Sequence, residues 1–397
     1  MVAFTHLPSR RAHTHQIMQM CEAYADQGLA TTLVVGSIAG EKRDVWKQYD
    51  VEPIFTMQSL HVPDLVSWIE RTGIWFPEVA KVLVWRLTLM LFGLRFARWS
   101  LEHPDAVLYS RDALPLWLVS KTTRGGARRS YLEVHTRPSG TINTILHRDL
   151  ARRIGGFVLV TAHLEQRLRA VGILPQRVLV AGDAVRLRRF AGQLDRIESR
   201  TQLGWPLDAF AVGYAGSLES LGQGKGIPTL VQAFSSLVST AEGLDYRLAL
   251  IGCRADQARD LSDRYGGGRL GDHLLAPGWV HPQDLPLYLS ALDVCTLPLP
   301  SSDYFAFDSS PLKLFDYMAS GVPIVSSDLP ALREVLHDGE NSILVSPDDP
   351  SSLAAGIRHV QQRPGIAGRI AKQARKDVMA HTWVHRARRI IGFIGFD

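Results

Sequence analysis

Two carboxylates eight positions apart, Asp308 and Asp316, frame the stretch of this sequence that is densest in chemistry. It reads Asp-Ser-Ser-Pro-Leu-Lys-Leu-Phe-Asp, followed by Tyr-Met-Ala-Ser-Gly-Val-Pro-Ile-Val. Leu312, Leu314, Phe315, Met318 and Ala319 recur at helical spacing. Pro311 suits the first turn of that helix, where a missing N–H costs little. One acid therefore stands before a helix N-terminus and the other within the helix. Gly321 ends the helix, and residues 322–326 read as a buried strand. Free amides at a helix start attract an anion, and flanking carboxylates accept hydroxyls, so the segment suits a ligand carrying both phosphate and hydroxyl groups. An ordinary helix with solvated acids is the plain alternative.

A second cluster lies upstream. Phe-Ala-Val-Gly-Tyr-Ala-Gly-Ser-Leu, from residue 210, reads as a strand and its exit, and Gly-Gln-Gly-Lys-Gly-Ile, from residue 222, leads into a helix at Pro228. Strand, glycine-bearing loop and helix start make an anion cradle, with Lys225 as its point charge. It is not a P-loop, because Gly226 rather than Ser or Thr follows the lysine. Ser309 and Ser310 add hydroxyls and amides, and Lys313 a further cation; a flexible loop and solvated lysines are the competing reading. In the first half, Tyr-Leu-Glu-Val-His ends a strand at His135. A histidine there can hydrogen-bond a ligand, or serve as a satisfied structural residue. Glu133 is assigned to the opposite face of that strand. Arg10, Arg11 and His13, in the first strand–helix loop, either meet a phosphate or another part of a ligand or are exposed loop charge.

The elements that must position these groups read as two parallel sheets. A chain of 397 residues exceeds what one core usually supports. Strand-like runs at 2–5, 31–35, 106–109, 130–134 and 156–161 alternate with helical patterns. A charged stretch from Arg186 to Arg200 reads as a linker. The alternation then restarts at 210–214, 246–251, 274–276, 294–297, 324–326 and 342–345, and a helical run occupies 366–391. Such alternation argues for doubly wound α/β domains, which bind ligands outside the carboxyl ends of their strands. A net charge of +5 fits phosphate-bearing substrates or an anionic membrane face. No nucleic-acid motif accompanies it, so nucleic acid is not an expected partner. Cys21, Cys253 and Cys295 have neither a disulfide nor a metal-ligand spacing, which points to a reducing cytoplasm and no metal site. No signal peptide is read at the N-terminus. Residues 79–101 are rich in Val, Leu, Trp and Phe, but Lys81, Arg86, Arg95 and Arg98 interrupt them, which argues against a membrane span. That segment is either a packed domain helix or an interfacial one in peripheral membrane contact.

The Asp-x7-Asp run, Ala-Ser-Gly-Val-Pro-Ile-Val and the downstream Asp-Gly-Glu-Asn together resemble the donor-sugar signature of glycosyltransferase family 4, the retaining enzymes of the GT-B fold. The family pattern is Glu, seven residues, Glu, then Ala-x-Gly-x-Pro-x-Val; here both acids are Asp, which reaches about one C–C bond less. The resemblance implies two doubly wound Rossmann-like domains facing across a cleft. Residues 1–185 would form the acceptor side and 201–377 the nucleotide-sugar side, with a C-terminal helix, 378–397, returning to the first domain. It implies metal-independent transfer, without a cofactor, from a UDP- or GDP-sugar to a glycan, lipid-linked or small-molecule acceptor, as in polysaccharide biosynthesis. By position, Asp308 would hold hydroxyls of the transferred sugar, Asp316 the ribose diol and Lys225 the diphosphate, while His135 faces the reaction centre. Ser217 stands where the family carries an Arg. Ser309, Ser310, Leu312 and Lys313 complete the donor contacts, with the backbone of Gly278 and Val280 against the base. The first loop is similar to a bacterial Ser-x-x-Ala-x-Ser-x-Gln variant, which puts Arg10, Arg11 and His13 on the acceptor side. The competing functions are a GT-B nucleotide-sugar epimerase or hydrolase, and a catalytically degenerate nucleotide-binding protein, motivated by the Asp pair and Ser217.

Overall fold

Short apolar runs become parallel strands in both halves of the chain. A computed structural model describes residues 1–397 except 10, 40, 41, 66, 67, 70–76, 123–125, 221, 242, 269, 396 and 397. The chain divides into two units, Met1–Gly182 with Trp383–Asp397, and Asp183–Thr382. The first unit holds β1 (Val2–Leu7), β2 (Thr32–Ile38), β3 (Thr56–Ser59), β4 (Leu108–Ser110), β5 (Ser130–Val134), β6 (Gly156–Leu159) and β7 (Val178–Val180). Their order is β3-β2-β1-β4-β5-β6-β7, and every neighbouring pair is parallel. The strand order reverses between β1 and β4, which opens a crevice beyond their carboxyl ends.

The second unit repeats the plan. It contains β8 (Phe210–Ala215), a small antiparallel hairpin of β9 (Glu219–Ser220) and β10 (Gln223–Gly224), then β11 (Tyr246–Ile251), β12 (Leu274–Gly278), β13 (Val294–Leu297), β14 (Ile324–Ser327) and β15 (Ile343–Val345). The main sheet runs β12-β11-β8-β13-β14-β15, all parallel, with its reversal between β8 and β13. Each sheet carries apolar layers on both faces, the arrangement that lets a parallel sheet bury its strands. Both units are therefore Rossmann-like α/β domains.

Two expectations need correction. The stretch 186–200 is not a linker: Leu187–Phe190 is a 3-10 turn and Arg196–Leu203 a helix, both inside the second unit. Arg200 is 1% exposed, pairs with Asp293 at 2.6 Å and donates to the carbonyls of Ala291, Leu207 and Ala209. Its charge is consumed internally, so composition misled. The terminal run 366–391 is not one helix either. It comprises Pro364–Asp377, a 3-10 turn at Val378–Ala380, and Trp383–Ile394. The break falls where Val185 pairs with Thr382 and its N–H donates to the His381 carbonyl at 3.0 Å. That long-range pairing overrides the local periodicity.

The segment read at 79–101 is a helix, Glu78–Glu102. Leu89, Phe92, Phe96 and Trp99 turn into the first unit's core, while Val79 is 82% and Leu87 62% exposed. Among the described residues no helix is long and apolar enough to cross a membrane.

Candidate functional site

In the second unit the candidate donor residues gather at the carboxyl ends of β8 and β13, the two strands flanking the reversal. β8 ends at Ala215, and the chain leaves through Gly216 and Ser217 into the hairpin that carries Lys225. The Tyr214 hydroxyl donates to the Ser217 carbonyl at 2.7 Å, and Lys225 Nζ donates to Ser217 Oγ at 2.7 Å. Lys225 is thus anchored on Ser217. Gly226 has φ +73°, and a Cβ there would lie 1.6 Å from the Pro298 carbonyl oxygen. Only glycine lets this loop pass so close to the end of β13.

The chain after β13 reaches Asp308 at the end of a π-helical turn, Tyr304–Asp308, and Asp308 is buried. Ser309 and Pro311 remain extended, and the helix Leu312–Ser320 begins after Pro311 and ends at Gly321, which has φ +72°. Ser310 Oγ accepts the Asp183 N–H at 2.9 Å, so this hydroxyl already braces the loop. Lys313 projects back under β8: its Nζ lies 3.6 Å from the centroid of the Tyr214 ring and beside Gly216. The ammonium is buried and, among the described residues, has no hydrogen-bond acceptor. Burial, with Lys225 nearby, pushes its pKa well below the usual lysine range. Burial also lowers Lys225 to about 8. A buried amine without an acceptor among the described residues, Lys313, thus lies within electrostatic reach of a second lysine, Lys225, at the switch point, an arrangement that an anion would stabilise.

Four residues further along the helix from Leu312, Asp316 is paired with Arg189 at 3.8 Å. Burial raises its carboxyl to about 6, although Arg189 opposes the shift. Arg189 escaped the sequence reading because it lay in the presumed linker; its position becomes meaningful only once the 3-10 turn Leu187–Phe190 packs in this unit. At the end of β12 lies Gly278, whose backbone is the expected contact to the base. Its N–H already donates to the Cys253 carbonyl at 3.0 Å, and its carbonyl accepts from Gly252 at 2.8 Å. Gly278 thus also closes the loop after β11. Val280 packs partly against the core. Leu312, the first residue of its helix, is half-buried.

The first unit builds a separate cluster around His135. Glu133 does not point to the opposite face, as expected from the sequence: its Oε1 meets His135 Nε2 at 2.5 Å. Residues two apart on a strand share a face, so the pairing follows from the pleat. Glu133 also accepts from Gln16 Nε2 at 2.6 Å and from the Tyr109 hydroxyl, and pairs with Arg386 at 3.1 Å. Arg111 donates to Gln16 Oε1 at 2.7 Å. Burial tends to raise the Glu133 carboxyl, yet Arg386, His135 and Arg111 hold it well below the usual carboxylate range. Burial and then Arg111 push His135 down to about 4, against the pull of Glu133. His13 is likewise lowered to about 4 by burial, with Arg111, Arg11 and His135 adding to it. His13 therefore joins the His135 cluster, Arg11 is exposed at the loop, and Arg10 lies outside the described residues.

Residues 209–363, from β8 onward, match the family model described as Glycosyl transferases group 1. A putative colanic acid biosynthesis glycosyltransferase of Salmonella typhimurium is 26% identical over 191 residues, 48% of this chain and 44% of that protein. A phosphatidyl-myo-inositol mannosyltransferase of Mycobacterium tuberculosis is 30% identical over 164 residues, 40% of each chain. The chain thus spans less than half the length of these relatives. The structure of HepE from Anabaena in complex with UDP superposes with a TM-score of 0.73 at 14% identity, covering 100% of both chains. The fold is that of the GT-B glycosyltransferases, and its segment 209–363 is similar to the group 1 glycosyl transferases.

Proposed function

We propose that the chain is a retaining, metal-independent glycosyltransferase that moves a sugar from a nucleotide diphosphate to a glycan, lipid-linked or small-molecule acceptor. The observation that carries this reading is the buried Lys313 ammonium beside Lys225 at the carboxyl ends of β8 and β13. A diphosphate supplies the acceptor oxygens that Lys313 lacks among the described residues and offsets the cost of its desolvation. As the sugar–phosphate bond breaks, negative charge grows on the leaving oxygen, and preformed cations in a dry site stabilise it most at that stage. Lysines, not a divalent ion, would carry this role. Asp308 would orient the transferred sugar and Asp316 the ribose diol. The UDP bound by HepE supports a uridine or similar nucleotide as donor. His135, neutral at ordinary pH, would act as a hydrogen-bonding group on the acceptor-side unit.

The exposed stripe Val79, Leu83, Leu87 and Leu94, with Arg86 and Arg98, matches an anionic bilayer surface in both apolarity and charge. A lipid-linked acceptor fits this face, and the lipid in the name of the mycobacterial relative, a phosphatidyl-myo-inositol mannosyltransferase, supports that choice. Flotation with anionic vesicles at low salt should retain the protein, and R86E/L87E should release it; indifference to the vesicles would remove the membrane from this reading.

Thermal denaturation with UDP, GDP, ADP, dTDP and their sugar conjugates tests the donor assignment. A nucleotide at 100 times its Kd adds about 2.7 kcal/mol. Selective stabilisation that disappears in Lys225→Ala is expected. Indifference to every nucleotide would refute the donor site, donor binding without turnover would favour the catalytically degenerate nucleotide-binding protein, and donor conversion without any acceptor would favour the epimerase or hydrolase.

A further inference from the structure

We propose that Arg386, on the C-terminal helix Trp383–Ile394, is a positioning residue that sets the hydrogen-bonding state of His135 through Glu133. The proposal rests on the reading of His135 as a group at the reaction centre. Arg386 Nε donates to the Gly182 carbonyl at 2.8 Å, and its Nη2 lies 3.2 Å from the Ala181 carbonyl and 3.1 Å from Glu133 Oε1. The guanidinium therefore ties the chain leaving β7 to the carboxylate on β5. Glu133 in turn meets His135 Nε2 at 2.5 Å through the same oxygen.

The chemistry of this chain of contacts is directional. An ionised carboxylate only accepts, so it fixes a neutral imidazole with its proton on Nε2 and leaves Nδ1 as an acceptor. Arg386 keeps the carboxylate ionised in a site where burial alone would protonate it. Glu133 and Arg386 are buried, with side chains 0% and 3% exposed, and Gln16 and Tyr109 are buried with them. His135 differs: 22% of its side chain remains accessible. A purely structural ion pair would not require a partly accessible imidazole as its outermost member. The groups facing the ring come from four elements: Glu133 on β5, His13 on the helix Ala12–Asp26, Arg111 after β4, and Arg386 on the C-terminal helix. Tyr109 and Tyr24 interact with Glu133 from behind. Of these, Arg386 arrives from the other end of the chain, so the last helix becomes part of the machinery that orients His135.

The test is 15N-histidine NMR on the full chain, with turnover of the preferred donor measured alongside. In the wild type, His135 should be neutral with its proton on Nε2 throughout pH 5–8. Arg386→Met should move its midpoint upward by about one pH unit or more, because Arg386 disfavours the imidazolium. It should also lower kcat about 10-fold with KM for the donor within about twofold, the size seen when a group that orients a functional histidine is lost. Arg386→Lys should restore much of both. An unmoved midpoint and tautomer in both variants would overturn the proposal. Should Arg386→Met fail to fold, Glu133→Gln decides: the midpoint must fall and the Nε2–H preference must weaken, and unchanged signals would overturn it equally. A shifted midpoint with unchanged turnover would keep the coupling and remove His135 from the reaction centre.

Discussion

Replacing Lys313 by methionine removes a buried ammonium and keeps most of the side chain's volume. Its Nζ lies over the Tyr214 ring with no acceptor among the described residues, and burial, with Lys225 nearby, depresses its pKa. The unfolded chain therefore holds a proton on Lys313 more tightly than the folded chain does. For a basic group shifted in this direction, stability rises with pH from the folded pKa up to the unperturbed value of 10.5. Lys313→Met abolishes that dependence and makes the ligand-free protein more stable at pH 7. Each kcal/mol gained raises Tm by about 2–4 °C for a unit of this size. Nucleotide binding should move the other way. A charge-assisted hydrogen bond to a diphosphate oxygen contributes about 1.5–3 kcal/mol, so its loss weakens binding about 10- to 150-fold. An anion beside Lys313 raises its pKa on binding, so calorimetry at pH 8 in two buffers of different ionisation enthalpy should register more proton uptake by the wild type than by the variant. A lower ligand-free Tm, with affinity and proton uptake both unchanged, would refute this account of Lys313.

Asp316 gives a second pH signature. Burial raises its carboxyl to about 6, and in the proposed donor site only the ionised form would accept both ribose hydroxyls, so nucleotide affinity should fall up to about tenfold per unit below that pH. Asp316→Asn should lose this acid limb; an identical limb in the variant would assign it elsewhere. Gly226→Ala should displace the Lys225 loop, because its Cβ meets the Pro298 carbonyl at 1.6 Å, whereas Gly224→Ala meets nothing within 4 Å. Nucleotide binding lost in the first and kept in the second, measured by thermal shift, is expected; equal effects would contradict the close approach. His135, lowered to about 4, should contribute no ionisation to the pH–rate profile between pH 5 and 8, and a step there that vanishes in His135→Ala would show otherwise.

What could be read from the sequence was what local physics determines. Apolar runs bounded by turn residues place β5, β11 and β13 at their observed bounds, and Pro311 and Gly321 mark the ends of the helix between them. The edge strand β3, Thr-Met-Gln-Ser, escaped because half of an edge strand faces solvent and its pattern is polar. Lys313 stood out as a charge beside a helix start, but its burial under Tyr214 depends on how the helix Leu312–Ser320 packs against β8. The pairings Asp316–Arg189 and Glu133–Arg386 join segments whose meeting is decided by the fold as a whole. Arg189 sat in a run whose charge density looked like a solvated linker, and the core consumed those charges instead. Glu133 was the avoidable error, since strand alternation already puts it beside His135.

The most direct measurement is a crystal structure of the protein with the nucleoside diphosphate that stabilises it most. The account predicts the diphosphate at the carboxyl ends of β8 and β13, with its oxygens within hydrogen-bond distance of both Lys313 Nζ and Lys225 Nζ. A nucleotide seated elsewhere, or one whose phosphates avoid both amines, would contradict it.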